Sequence, residues 1–144
     1  MRTSIIIITL LLPFAAAAQD PQPPAAVLAA FEKEFPNAMD VDWDLKGTQY
    51  KVEFETGILF TDHEVWYDAN GKMLRHEEEI SEGDLPEAVK RSIATDFPNY
   101  RVDDVERIMI GNETNYAMEL KMQGQGEWKV AYAEDGRQLE KRAD

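Results

Sequence analysis

The chain has 144 residues, 28 acidic and 15 basic, for a net charge of −13 near neutral pH, and it contains no cysteine. That length fits one domain or two very small ones. Missing cysteine excludes disulfides, thiolate metal sites, iron–sulfur clusters and cysteine nucleophiles, and the acidity argues against nucleic acid, whose phosphates demand Lys and Arg.

The first residues read as an export signal. Met1-Arg2-Thr3-Ser4 carries one positive charge, Ile5 to Phe14 is nearly all apolar, and Ala15-Ala16-Ala17-Ala18 supplies small residues before polar Gln19-Asp20. This is the positive, apolar and small-residue order of a secretory signal peptide, predicted to span residues 1–18. The apolar run falls short of the ~20 residues that cross a bilayer. Removing it leaves 126 residues and, with Arg2 gone, takes the charge to −14. No cysteine follows the cut, so no lipid anchor is expected. Export without cysteine suits a bacterial periplasm better than a stapled extracellular mini-domain. The expected product is soluble and free of membrane.

The remainder reads as one unit written twice. Pro24-Ala25-Ala26-Val27 answers to Pro86-Glu87-Ala88-Val89, and Phe35-Pro36-Asn37 to Phe97-Pro98-Asn99, at an offset of 62. Tyr50-Lys51-Val52-Glu53-Phe54 answers to Tyr116-Ala117-Met118-Glu119-Leu120 at 66, and Asn70-Gly71 to Asp135-Gly136 at 65. The shifts place an insertion near Gly111-Asn112-Glu113-Thr114. The predicted units are residues 19–80 and 81–144.

Each unit opens with a helix. Val27, Leu28, Phe31 and Phe35 form one apolar stripe at helical spacing, as do Val89, Ile93 and Phe97. Asp84 and Glu87 suggest a capping box, and Pro36 and Pro98 end the helices. Strands follow. Val41, Trp43 and Leu45 alternate with Asp42 and Asp44; Tyr50, Val52 and Phe54 alternate with Lys51, Glu53 and Glu55. That period is expected of antiparallel strands with one buried face. Asn70-Gly71 and Asp135-Gly136 are hairpin turns. The expected fold class is α+β, as two tandem α-β-β-β-β repeats in an antiparallel sheet with helices packed on one face. The short acidic joint Glu77–Asp84 is expected to keep the two sheets side by side, and leaves open whether they join as one.

These landmarks resemble the PepSY-like family of β-lactamase-inhibitor-like proteins. The helix ending in Phe-Pro, the Tyr-x-Val-Glu-Phe strand and the Val-x-Tyr-Asp-x-Asn-Gly-Lys-x-Leu hairpin carry the resemblance, in two copies. It implies an exported protein of bacteria with an outer membrane, built of tandem helix-plus-four-strand units. The wider PepSY group implies an inhibitor or chaperone of peptidases. No catalytic residues belong to the pattern.

The residues themselves supply no catalytic constellation. His63-Glu64-Val65-Trp66-Tyr67 starts like a zinc-protease motif but lacks the second histidine and lies in a strand pattern. A His63–His76 metal pair can be drawn across a hairpin, with Glu64 or Glu78 adding oxygen, against the simpler reading of a strand histidine. Asp68-Ala69-Asn70-Gly71 is too short for a calcium loop and reads as a turn. The paired carboxylates lie opposite the apolar stripe, as a charged sheet surface. No cofactor or metal is expected.

One surface is a candidate site. If Val65 and Tyr67 face the helix, Trp66 faces away, with Glu64 on its own strand and Lys51, Glu53 and Glu55 on the neighbouring one. Phe60 joins this patch unless a bulge changes its side. An aromatic ringed by charge is a common composition for protein binding. Trp43 and Trp128 fall on inward phases. The expected function is an exported, non-enzymatic module that grips a protein or peptide on its open sheet face, as an inhibitor of an enzyme. The alternative is a periplasmic protein that binds a small ligand or cation, as a sensor.

Overall fold

The computed structural model describes residues 22–144, so the signal-peptide expectation for residues 1–18 lies outside the described residues. Helix α1 (Ala25–Glu34) is followed by strands β1 (Met39–Lys46), β2 (Gln49–Thr56), β3 (Thr61–Tyr67) and β4 (Met73–Glu79). A single 3-10 turn, Glu82–Asp84, leads into helix α2 (Glu87–Asp96) and strands β5 (Arg101–Ile110), β6 (Glu113–Lys121), β7 (Trp128–Ala133) and β8 (Gln138–Ala143). All eight strands form one antiparallel sheet in sequence order. The class is α+β. The sheet is continuous because β4 pairs with β5, from His76 opposite Met109 to Glu79 opposite Glu106.

The Phe-Pro pairs stop both helices as expected. Phe35 and Phe97 leave the helical region, and their N–H groups donate to the carbonyls of Phe31 and Ile93. The capping box does not form. Pro86 precedes α2 with no side-chain cap, and Asp84 instead accepts a hydrogen bond from Ser81 Oγ at 2.7 Å. The 3-10 turn carries Asp84 away from the helix start and takes Glu87 out of its reach.

Alternation along the strands sends one set of side chains under the helices. Val27 and Phe31 pack on Val52, Phe54, Val65 and Tyr67, with Trp43 and Phe35 partly buried against them. Val89, Ile93 and Phe97 pack on Tyr116, Met118, Leu120, Val130 and Tyr132, with Trp128 at the margin. Each such aliphatic or aromatic side chain contributes about 1.5–3 kcal/mol when fully buried. Cross-strand register puts His63, Glu78, Arg107 and Tyr116 in one row on this same face. Both helices therefore cover one side, and a polar seam divides the two apolar clusters. Val41 and Leu45 share the inward stripe only in part: β1 is an edge strand, and both stay exposed.

The turns tie the strands to the helices. Asp68 Oδ1 accepts the backbone N–H groups of Asn70 and Lys72 at 2.9 and 3.0 Å, which confirms a turn in place of a cation loop. Gly71 then adopts a positive φ of 82° with its Cα against the Ala26 carbonyl. Gly136 does the same at φ 86° against Ala88 and Ser92, and Ser92 Oγ donates to the Gly136 carbonyl at 2.6 Å. Only glycine combines that backbone conformation with so close an approach.

Candidate functional site

The face opposite the helices carries the candidate residues. Trp66 lies between Lys51 of β2 and Arg75 of β4, and Glu64 lies between Glu53 and Glu77. The row continues to Asp42 on β1, opposite Glu53. Glu55 pairs with Asp62. Five of the six expected residues, Trp66, Glu64, Lys51, Glu53 and Glu55, thus share one face.

Phe60 is not among them. Thr56 pairs with Thr61, so Gly57, Ile58, Leu59 and Phe60 form the β2–β3 turn. Trp66 stands five residues along β3 from Thr61, about 17 Å away at the usual strand rise. Phe60 has a φ of 53° and is exposed. Three of the four residues of Gly57–Phe60 are apolar, so the sequence carries no local mark of a turn there. Only the Thr56–Thr61 register shows it.

Trp66 is half-buried, and its indole N–H donates to Glu64 Oε1 at 2.6 Å. Lys51 pairs with Glu53 and lies 3.6 Å from Glu64. Arg75 pairs with Glu77. The cations thus sit at the Trp66 row, where their charge is already shared.

Beyond that row the face turns strongly acidic. A groove of about 500 Å³ runs across it, and eleven of its thirteen lining residues are Asp or Glu, with no Lys or Arg. Glu53, Glu64, Glu77, Glu79 and Glu106 line it across β2 to β5. Burial pushes the Glu77 carboxyl above the ordinary glutamate range, with Glu64 adding to the effect and Arg75 opposing it. Glu106 rises for the same first reason, helped by Glu77 and Glu64. Glu79 rises through burial and its contact with Asp62. Crowded carboxylates with too little counter-charge favour a cation arriving from outside. Sequence reasoning missed Glu77, Glu79 and Glu106, because their meeting depends on the β4–β5 pairing.

The far end of the same face differs. Lys121 bridges Asp103 and Glu119 at 3.1 and 2.8 Å, and Lys129 bridges Glu119 and Asp144 at 3.3 and 3.0 Å. There each lysine bridges two carboxylates, and Ala131 on β7 pairs with Ala117 where Trp66 on β3 pairs with Lys51.

The histidines lie on the helix side. His63 Nδ1 and His76 Nε2 are 3.0 Å apart, and His63 Nε2 is 2.7 Å from Thr56 Oγ1. Phe54 stacks on His63, and Phe35 meets both rings. Burial lowers the pKa of each imidazole. Glu64 cannot join them as a ligand, since adjacent strand residues point to opposite faces. Glu78 lies on their side but is paired with Arg107. Among the described residues the one cluster with three groups at metal-ligand spacing is Glu119, Glu127 and Asp144. Two of its three carboxylates are already ion-paired, Glu119 with Lys121 and Lys129 and Asp144 with Lys129.

Comparison with known proteins decides the family. The family described as "Putative beta-lactamase-inhibitor-like, PepSY-like" matches residues 19–75 and 48–140. The chain belongs to the PepSY-like family. Among solved structures, a BLIP-like protein from Bacteroides fragilis is 28% identical, with a TM-score of 0.70 over 85% of this PepSY-like chain and 87% of that one. A DUF2874 family protein from Bacteroides ovatus is 20% identical, with a TM-score of 0.72 over 85% and 89%. A protein from Bacteroides eggerthii described as "putative periplasmic" is 18% identical, with a TM-score of 0.75 over 85% and 90%. The last two share the fold. No curated protein matches the chain. Among the described residues no helix is long and apolar enough to cross a membrane.

Proposed function

We propose that this PepSY-like chain is an exported, non-enzymatic binding module whose open sheet face holds a basic segment of a protein, as an inhibitor of an enzyme. The observation that carries it is the groove: it is lined by carboxylates, three of them shifted upward by burial, with Trp66 as an aromatic anchor at its edge. The inhibitor-like description of the family supports binding over catalysis. Residues 1–18 serve as a signal peptide and the periplasm is the compartment, in keeping with the "putative periplasmic" description of one relative.

The two halves, residues 19–80 and 81–144, are copies of one unit. Two bulges support this: Leu74 is the extra residue between the Trp66–Arg75 and Tyr67–Met73 pairs, and Leu139 is the extra residue between Ala131–Glu140 and Tyr132–Gln138. The first copy supplies most of the binding face, with Asp104 and Glu106 added by β5, since the groove lacks cations where the second copy has Lys121 and Lys129.

The test is crosslinking and pull-down of the mature protein in its own periplasm, with mass spectrometry of the captured protein. Its binding should weaken with added salt, because exposed charge pairs are screened beyond ~8–10 Å. A captured protein that binds equally well at high salt, or after Glu53→Lys with Glu77→Lys, contradicts the proposal. The groove also favours a second reading, cation binding. Calorimetric titration with calcium, zinc and copper tests it, and absence of heat with an unchanged melting temperature ends it.

A further inference from the structure

We infer that the β2–β3 hairpin tip, Ile58-Leu59-Phe60, is an apolar plug that enters a cleft on the partner protein while the groove holds the basic rim of that cleft. The inference deepens the proposed function and rests on it.

Three observations carry it. Ile58, Leu59 and Phe60 are 92%, 85% and 61% exposed, in consecutive positions. Single exposed apolar residues are ordinary, but a contiguous group at a protruding tip marks a docking element. Second, Phe60 holds a φ of 53°, a left-handed conformation that disfavours a bulky side chain. Among the described residues nothing repays it, because the ring is not buried. Third, the fold does not require an apolar tip. The β6–β7 hairpin occupies the same place after α2 and closes through Met122-Gln123-Gly124-Gln125-Gly126-Glu127, where Met122 is half-buried beside the strand and the exposed tip, Gln123 to Glu127, has no apolar side chain.

Charge selects the occupant. Glu55 and Asp62 flank the turn and also line the groove. An apolar tip on an acidic base fits a pocket rimmed by Lys and Arg. The same base repels an anionic lipid surface, and a second copy of this chain would bring more negative charge.

The test places a photo-crosslinking residue at position 59, 66 or 125 of the full chain, in cells that export it. Position 59 should capture a protein that position 66 also captures and position 125 does not. That protein, purified, should bind the wild-type chain, and Ile58→Ser with Leu59→Ser and Phe60→Asn should weaken binding about a hundredfold, as loss of central apolar anchors does. The same variant should keep its circular dichroism and melt at or above the wild-type temperature, since Asn tolerates the left-handed region. Capture from 66 without 59, or a tip variant that binds normally, overturns the plug and leaves the sheet face standing. Capture from 59 alone keeps the plug and removes the face. Adducts at 59 to lipid or to a second copy overturn the plug, and no adduct at 59 or 66 overturns both.

Discussion

Neighbouring residues on β3 separate stability from binding. Val65 is fully buried beneath α1, while Trp66 lies on the other face with only its indole N–H engaged. Val65→Ala should cost about 2 kcal/mol through lost burial and a residual cavity. Trp66→Ala should weaken partner capture and leave the thermal midpoint nearly unchanged; a large loss of stability there would make Trp66 a structural residue. Glu77 and Glu106 are the converse case. Their folded pKa values are raised, so the folded chain binds protons more readily than the unfolded one, and at neutral pH they work against folding. Glu77→Gln should therefore stabilise the chain at pH 7, by about 0.5 kcal/mol, and lose that advantage toward pH 4, below the ordinary glutamate value. Denaturation midpoints at the two pH values check this.

The paired histidines give the opposite sign. Burial lowers both imidazole pKa values, with Glu78 and, for His63, Asp62 opposing and Arg107 reinforcing. The unfolded chain then takes up protons first as pH falls below about 6.5, the ordinary histidine value. Stability is full above that value and declines as pH drops toward the lowered folded values. The His63→Gln, His76→Gln double variant should show a flatter stability profile between pH 7 and 5 than wild type. An unchanged slope would mean the pair titrates in the fold as freely as outside it.

At the scale of elements, the strand-to-strand turns set how each helix sits. A Cβ at Gly71 would overlap the Ala26 carbonyl, whereas one at Gly47, also at positive φ, meets nothing within 4 Å. Gly71→Ala should thus cost about 2–4 kcal/mol, from the backbone penalty plus the clash. Gly47→Ala should cost about 1 kcal/mol, from the backbone alone. Urea denaturation of the two variants separates the effects. These elements were largely legible in the sequence. Phe-Pro fixed both helix ends, alternation found the buried face of β2, and Asn70-Gly71 and Asp135-Gly136 marked their turns, because each signal is local. The capping box failed because an unforeseen 3-10 turn moved Asp84. Phe60, expected on the patch unless a bulge intervened, lies in the turn, because an apolar turn and an apolar strand read alike until pairing is known.

At the scale of the molecule, the decisive event is the β4–β5 pairing. It joins two helix-backed halves into one sheet and brings Glu77 and Glu79 beside Ile108 and Glu106. No local pattern encodes that meeting, so the sequence points to Glu53, Glu55 and Glu64 but not to the groove they join. The groove also predicts how binding responds to conditions. A basic partner should bind more weakly as pH falls through the carboxylate range, since Glu77 and Glu106 take up protons above the usual glutamate value.

The most direct measurement of the central claim is carboxylate footprinting, with carbodiimide labelling of the protein in freshly isolated periplasm and of the purified protein alone. Protected residues should be Glu53, Glu55, Glu64 and Glu77, each labelled several-fold less in periplasm, while Glu32, Glu87 and Glu140 label equally in both. Equal labelling of the groove carboxylates in the two samples would contradict the account.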